Sequence, residues 1–153
     1  MATYTFKKEI LIHTSLETMW SFLSNPKNLQ QLTPKSMGGK PLGDMPEQMV
    51  EGMEVEYRIQ PFFPLSLTWR ARFPKVVKHH YFIDEQIKGP FKSWQHKHTI
   101  TSDENGVRMM DEIVYEPPFG IIGAIANKLF IRKQLQAIFD HRTDVLKRIF
   151  PET

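Results

Sequence analysis

Hydrophobic and polar residues alternate in several segments of the chain, which is typical of strands with one buried face. The first segment, residues 4–13, places Tyr4, Phe6 and Ile12 on one side and mainly polar residues on the other. Alternation returns in five further runs between residues 53 and 116, joined by short links that contain Pro, Gly or Asn. Short links of this kind are typical of hairpins, so the sequence predicts an antiparallel sheet.

Two short helices are predicted directly after the first strand. Thr14 to Glu17 has the pattern of a capping box, which predicts Thr14 as the N-cap of the first helix. Asn25 followed by Pro26 predicts the N-cap and the first residue of the second helix. Residues 34–52 contain many Pro and Gly residues, so this segment is predicted to be mostly loop with at most a short strand.

One long amphipathic helix is predicted to follow Pro117-Pro118 and to end near Ile149. Its predicted apolar stripe begins with Ile122, Ile125 and Leu129. A twisted antiparallel sheet must bury one face, and this helix is the element that remains to cover it. We therefore predict a single α+β domain over residues 1–153: a curved antiparallel sheet of about seven strands, two short helices after the first strand, and the long C-terminal helix over a cavity.

Composition excludes several classes of protein. The 153 residues include no Cys, which excludes disulfides, thiolate metal sites and Cys nucleophiles. With 41% hydrophobic and 24% charged residues, the chain is not intrinsically disordered. The aromatic content of 12% and the 8 Met residues supply apolar side chains for a core, a pocket or both. Neither a phosphate-binding glycine loop nor a Gly-x-Ser-x-Gly nucleophile elbow is present.

The net charge of +3 is unevenly placed. Residues 1–118 are balanced, whereas residues 119–153 hold Lys128, Arg132, Lys133 and three further basic residues against three acidic ones. This segment is either a solvated helix face or a contact with an anionic membrane or a partner. Because the aromatic residues alternate inward along strands, we expect no nucleic-acid partner, and any membrane contact should be transient. No signal peptide or membrane-spanning run is evident, and we expect a cytoplasmic location.

Several phrases of the sequence occur in an order known from one superfamily. They are Met19 to Pro26, Phe82-x-Asp84-x-Gln86-x-x-Gly89-Pro90-Phe91, Trp94-x-His96-x-His98, Met110-Asp111-x-x-x-Tyr115 and Pro118-Phe119-Gly120. Over nearly its whole length the chain resembles the START-like (SRPBCC) superfamily, in particular a bacterial branch of small ligand-binding proteins related to polyketide cyclases/dehydrases and lipid-transport proteins. The resemblance implies a helix-grip, Bet v 1-like fold and a ligand-binding cavity, with no established catalytic set.

Polar side chains are predicted to lie among apolar ones on the face of the sheet that meets the helix. Trp94, His96 and His98 share one face of their strand, and Met109, Asp111 and Tyr115 share one face of the next. An apolar surface with a few convergent polar groups is typical of a small-molecule pocket. The predicted ligand-binding residues are Tyr57, Trp69, Trp94, His96, His98, Met109, Asp111 and Tyr115.

Three hypotheses remain open for the two histidines. They could line the cavity and orient a ligand, or they could make structural hydrogen bonds at the sheet edge or face solvent. They could also carry chemistry. A zinc site would need a third ligand from Asp84, Asp111 or His80, and a general base could be formed by either histidine paired with Asp111. From the sequence we expect no catalytic residue, no metal and no cofactor.

The predicted function is to hold an apolar or amphipathic small molecule, such as a lipid, an aromatic or a polyketide-like compound, between the sheet and the C-terminal helix. Binding is favoured over catalysis. The alternative is a cyclase or dehydratase-type enzyme that uses the same cavity with His96 or His98 as general base. A third hypothesis is docking through the basic helix and an apolar rim. The rim is formed by residues 61–65, by Phe119, Ile121 and Ile122, and by the Met residues of segment 34–52.

Overall fold

The computed structural model describes residues 2–34, 38–62 and 65–152. Seven strands form one antiparallel sheet in the order β1-β7-β6-β5-β4-β3-β2, which confirms the predicted sheet. The short strand within segment 34–52 lies at one edge of the sheet, and the first strand of the chain lies at the other. The strands are β1 (Tyr4–Ile12), β2 (Gly38–Pro41), β3 (Glu54–Phe62), β4 (Leu65–Val77), β5 (Tyr81–Lys88), β6 (Ser93–Asp103) and β7 (Gly106–Glu116).

Two short helices, α1 (Leu16–Leu23) and α2 (Pro26–Gln31), follow β1 as predicted. The N-cap of α2 is Asn25, whose Oδ1 accepts a hydrogen bond from the backbone N–H of Lys27 at 3.0 Å. The predicted N-cap of α1 is wrong by one residue. Ser15 takes this position, and its Oγ accepts from the N–H of Thr18 at 3.1 Å. The backbone N–H of Thr14 instead bonds to the carbonyl of Ile12 in the turn that leaves β1.

The C-terminal helix has three parts. It begins as α3 (Gly120–Ala126), passes through a π-helical turn (Asn127–Ile131) and continues as α4 (Arg132–Ile149). Within α4 the predicted apolar stripe is confirmed, because Leu135, Phe139 and Leu146 are buried. The N-terminal part of that stripe is wrong, because Ile122, Ile125 and Leu129 are exposed. Ile122 borders a cavity, whereas Ile125 and Leu129 face away from it. No described helix is long and apolar enough to span a bilayer.

The core consists of two clusters of buried side chains. The larger one joins α1 to the sheet and to the end of α4, and it includes Met19, Phe82 and Leu146. The smaller one lies under the first half of α4 and includes Phe6, Tyr115 and Phe139. The hydroxyl of Tyr115 donates a hydrogen bond to Oδ1 of the buried Asn127, so β7 is joined to the first residue of the π-helical turn.

Gly123 in α3 lies directly against the segment that enters the helix. A Cβ at this position would lie 2.0 Å from the carbonyl oxygen of Pro118, far inside van der Waals contact. We expect Gly123→Ala to lower the free energy of unfolding by about 1–3 kcal/mol, although Ala is otherwise the better helix former. Thermal denaturation would measure the change. An unaltered melting temperature would mean that the Pro117-Pro118 segment yields freely to the added methyl group.

Candidate functional site

A cavity of about 500 Å³ lies between the sheet and the C-terminal helix. Most side chains around it are apolar, and they come from α2, the central strands, α3 and α4. Among them are Leu29, Ile59, Trp69, Trp94, Ile113 and Phe130. The ionisable side chains that border the cavity are Tyr57, Asp84, His96, His98 and Arg142. A concave, mainly apolar site with a few placed polar groups is the usual form of a small-molecule site.

Three aromatic rings form one wall of the cavity. Trp69 and Trp94 meet edge to face with 5.2 Å between ring centroids, and Phe91 lies 4.9 Å from Trp94. The side-chain amide of Gln86 fixes the turn that carries Phe91. Its Nε2 donates to the carbonyl of Phe91 at 2.7 Å, and its Oε1 accepts from the N–H of Phe91 at 3.1 Å. The position of Phe91 in this wall is therefore fixed by hydrogen bonds to its backbone as well as by ring packing.

Strand register brings four ionisable side chains together on the cavity side of the sheet. Asp84 on β5 lies opposite His96 on β6, and His98 on β6 lies opposite Asp111 on β7. Hydrogen bonds run along the diagonals: His98 Nε2 to Asp84 Oδ2 at 2.6 Å, and His96 Nε2 to Asp111 Oδ1 at 2.8 Å. From α4, Arg142 Nη1 donates to Asp111 Oδ1 at 3.2 Å. We call these five residues the polar cluster.

Ring stacking fixes the two histidines of the polar cluster. The imidazole of His98 stacks on Phe82 at 4.0 Å and on His96 at 3.6 Å, with interplanar angles of 15° and 25°. The far side of His96 meets the edge of Phe139, 5.7 Å away. Both histidines are therefore held between two phenylalanines, and neither ring can turn without disturbing the core.

The two carboxylates of the polar cluster are stabilised in their charged form. Burial alone would raise the pKa of Asp111, but the Arg142 guanidinium and the hydrogen bond from His96 hold it well below its usual range. Burial likewise opposes ionisation of Asp84, yet the hydrogen bond and charge of His98 lower its pKa. Opposite charges and hydrogen bonds to the ionised form outweigh desolvation at both sites.

The pKa values of the two histidines are shifted in opposite directions. Burial and the neighbouring charge of His98 lower the pKa of His96 to about 4, so this ring is neutral near pH 7. Burial also disfavours the charged form of His98, but the carboxylates of Asp111 and Asp84 outweigh it and raise the pKa of His98. With His98 protonated, its charge and that of Arg142 balance the charges of Asp84 and Asp111.

Tyr57 adds a neutral hydroxyl to the cavity. Burial raises the pKa of this phenol, and the negative charge of Asp84 raises it further. Tyr57 therefore remains protonated, and its O–H is a hydrogen-bond donor at neutral pH.

Asp84, His96 and His98 are also the group best placed to hold a metal ion. They can present one ligand atom each, with all three atoms within 4.8 Å of one another. However, the two imidazole planes are stacked and inclined by only 25°, so their in-plane lone pairs run nearly parallel instead of converging. A shared zinc ion would require one ring to leave the stack. His80, another proposed third ligand, lies at an exposed turn. The zinc hypothesis therefore stays a prediction.

The structure places the eight predicted ligand-binding residues in two groups. Five border the cavity: Tyr57, Trp69, Trp94, His96 and His98. The other three, Met109, Asp111 and Tyr115, lie behind the lining and are almost fully buried. Met109 packs in the larger core cluster, and Tyr115 packs in the smaller one. Asp111 does not border the cavity, but its Oδ1 holds His96 and Arg142 in place through hydrogen bonds.

Two members of the polar cluster were not among those eight residues. Asp84 lies on a strand whose two faces both carry apolar residues, so alternation does not decide which face points inward. Arg142 is one of the six basic residues of segment 119–153, for which the sequence predicts either a solvated helix face or a contact with an anionic membrane or a partner. Its spacing contains a signal, however: Arg142 follows Phe139 by three residues and precedes Leu146 by four, which places it within the buried stripe.

The predicted apolar rim is described only in part. Phe119 and Ile122 border the cavity. The side chains of residues 61–65 and of Met37 lie outside the described residues. Met49 belongs to the core and not to a rim.

The fold and the cavity define a class of protein: a curved antiparallel sheet that grips a C-terminal helix around an internal cavity. Residues 12–140 match the model of one protein family, "Polyketide cyclase / dehydrase and lipid transport". The chain therefore belongs to this family, and the resemblance inferred from the sequence is confirmed. No curated protein matches the chain at a significant level.

Solved structures of low sequence identity share the fold. The di-domain ARO/CYC StfQ from the steffimycin biosynthetic pathway is 12% identical with a TM-score of 0.75, over 97% of this chain and 50% of that one. Ginseng major latex-like protein 151 from Panax ginseng is 9% identical with a TM-score of 0.67, over 98% and 99%. The protein of unknown function SA2116 from Staphylococcus aureus is 14% identical with a TM-score of 0.69, over 99% and 98%. These likenesses show the fold and nothing finer.

Proposed function

We propose that the chain, acting as one domain, binds an amphipathic small molecule in the cavity between sheet and helix. The apolar body of the ligand packs against Trp69, Trp94 and Ile113, and a polar group meets the polar cluster. The observation that carries this proposal is the contrast within one cavity of about 500 Å³, where mainly apolar walls surround a single group of linked ionisable side chains. This volume lies within the usual range for drug-sized ligands.

The ionisable lining determines which polar groups the ligand needs. Asp84 and the neutral Tyr57 border the cavity, so the site offers a carboxylate acceptor and a hydroxyl donor. A ligand with a hydroxyl or an enol near a carbonyl oxygen would satisfy both. Lipid, aromatic and polyketide-like molecules can carry such groups, and the description of the family supports these classes.

Catalysis of the cyclase or dehydratase type is the second candidate function. The observation that favours it is the His96–Asp111 pair, 2.8 Å apart at the edge of the cavity, which has the geometry of an oriented base. Two features oppose a general base. The lowered pKa of His96 makes it a weak base near neutral pH, and a protonated His98 has no free lone pair. The polar cluster is therefore better suited to orient a bound group than to remove a proton from it.

Filling the cavity tests the binding proposal. Ala126 lies on α3 and borders the cavity, so Ala126→Phe places a ring inside the cavity and keeps a residue that a helix tolerates. We expect wild-type protein to retain or take up lipid and aromatic ligands in native mass spectrometry, and to gain thermal stability with them. The variant should bind at least tenfold more weakly, because ring and ligand compete for one space.

Ala137→Phe is the matched control, since it makes the same change at an exposed site of α4. It should bind as the wild type does. Equal binding by wild type and Ala126→Phe would contradict the proposal, as would a wild-type protein that responds to no member of the ligand panel. Chromatography and mass spectrometry of the released molecule separate the two candidate functions. Dehydration lowers the mass of the molecule, cyclisation changes its retention time, and binding alone changes neither.

A further inference from the structure

The segment made of α3 and the π-helical turn is apolar on two sides. One side borders the cavity through Phe119, Ile122 and Phe130. The other side carries Ile121, Ile125 and Leu129, which are spaced four residues apart, do not border the cavity, and are 81%, 55% and 50% exposed. We call these three residues the outward stripe. The cavity explains the first side, but no described residue covers the second.

The charge of the same segment has one sign. Residues 119–134 contain Lys128, Arg132 and Lys133 and no acidic residue, so this segment accounts for the whole net charge of +3. Lys128 and Lys133 are exposed, and neither forms an ion pair with any residue that the structure describes. The cations follow the outward stripe closely, since Lys128 precedes Leu129 by one residue and Lys133 follows it by four.

We propose that the outward stripe and these cations dock the protein on an anionic lipid surface. An exposed helical stripe of large apolar side chains with cations beside it matches the boundary between acyl chains and anionic headgroups. Lipid anions complement the cations, whereas the aliphatic side chains enter the acyl region. A second copy of this chain fits less well, because a symmetric contact through this segment would bring two acid-free basic segments together.

Docking in this way would place α3, which forms part of the cavity wall, at the lipid surface. This follows because the residues that border the cavity and the outward stripe belong to the same short helical segment. The proposal is nevertheless independent of ligand binding, because it rests on the exposed side of the segment and not on the cavity.

Vesicle co-sedimentation tests the proposal directly. We expect the wild-type protein to sediment with vesicles of phosphatidylcholine doped with phosphatidylglycerol, and much less with phosphatidylcholine alone. Raising the salt concentration should weaken the binding, because the charges involved are exposed. Each cation near an anionic surface contributes about fivefold in affinity, converted from about 1 kcal/mol. The double variant Lys128→Gln/Lys133→Gln should therefore bind at least tenfold more weakly.

The outward stripe has its own variant, Ile121→Gln/Ile125→Gln/Leu129→Gln. It should lose binding even at low salt, and circular dichroism should confirm that it stays folded, because Gln favours helix at least as well as Ile. Two control proteins carry the same changes at exposed positions elsewhere: Val50→Gln/Ile87→Gln for the apolar change, and Lys78→Gln/Lys88→Gln for the charge. Both controls should bind as the wild type does.

Three outcomes would overturn the proposal. The first is a wild-type protein that does not sediment with anionic vesicles. The second is a folded stripe variant that binds as the wild type does. The third is a dimer in ultracentrifugation that the stripe variant abolishes. Ligand binding measured by native mass spectrometry without vesicles is unaffected by all three, so failure of docking remains distinct from failure of the cavity proposal.

Discussion

Asp111→Asn is expected to destabilise the protein by about 3–5 kcal/mol, the range for removing one partner from a buried charge pair. Asp111 is 2% exposed, and its Oδ1 faces His96 at 2.8 Å, Arg142 at 3.2 Å and His98 at 3.3 Å. Asn keeps the shape of the side chain but removes its charge. The guanidinium of Arg142 would then stay buried without its carboxylate, and this uncompensated charge is the main source of the expected loss.

Urea unfolding followed by tryptophan fluorescence would measure this loss. Asp140→Asn is the matched control, because it makes the same change in an exposed carboxylate that lies 3.7 Å from Lys8. A surface pair of this kind contributes less than about 1 kcal/mol. If both variants lost the same small amount, the polar cluster would not be a buried charge network.

A double variant separates the charge from the packing. Adding Arg142→Gln to Asp111→Asn removes the lone cation, so the pair should be less destabilised than the sum of the two single variants. Strict additivity would show that the Asp111–Arg142 contact contributes through side-chain shape and not through charge.

Stability is expected to fall as the pH is lowered from 6.5 to 4. In the unfolded chain His96 takes up a proton near pH 6.5, whereas in the folded protein burial lowers its pKa to about 4. The unfolded state therefore binds more protons throughout this interval, so the free energy of unfolding decreases with decreasing pH. The full interval corresponds to about 3 kcal/mol for this one group.

Other members of the polar cluster determine how the stability changes above and below this pH interval. The pKa of His98 is raised, so its contribution is complete below pH 6.5 and is lost as the pH rises through its folded value. The lowered pKa values of Asp84 and Asp111 preserve their contributions until the pH falls below about 4. Together these directions place the stability maximum of the cluster near pH 6.5.

Unfolding midpoints in urea across this pH range would test the assignment. His96→Gln, which can still donate to Asp111, should flatten the profile between pH 6.5 and 4. His80→Gln changes an exposed histidine and should leave the profile as it is in the wild type. A slope that survives in His96→Gln would assign the titration to a different group.

Much of the fold follows from local patterns in the sequence. Alternation identified the face of β6 that carries Trp94, His96 and His98, and burial confirms that both histidines point inward. Asn25-Pro26 predicted the start of α2 because capping depends on neighbouring residues alone. The N-cap of α1 was misplaced by one residue, since Thr14 and Ser15 can both cap a helix and only the turn after β1 decides between them.

The site was harder to predict because it depends on register. Alternation shows which residues share a strand face with Asp84 and which share one with His98. Only the pairing of β5 with β6 shows that His98 Nε2 and Asp84 Oδ2 lie 2.6 Å apart. The spacing of Arg142 places it within the buried stripe of α4, but only the packing of α4 on the sheet shows that its guanidinium meets Asp111. The exposure of Ile125 and Leu129 was missed for a related reason. Apolar periodicity predicts a buried face, and it does not reveal whether another element is present to cover that face.

Because of the π-helical turn of Asn127–Ile131, the side of α3 that borders the cavity depends on the number of residues in this turn. A π-helical turn accommodates one extra residue within an α-helix, and one residue corresponds to about 100° of rotation. A relative without the extra residue would present a different side of α3 to the cavity, even if every side chain of that helix were unchanged. Loss or gain of a single residue in this turn is therefore enough to change which residues of α3 border the cavity and which face outward.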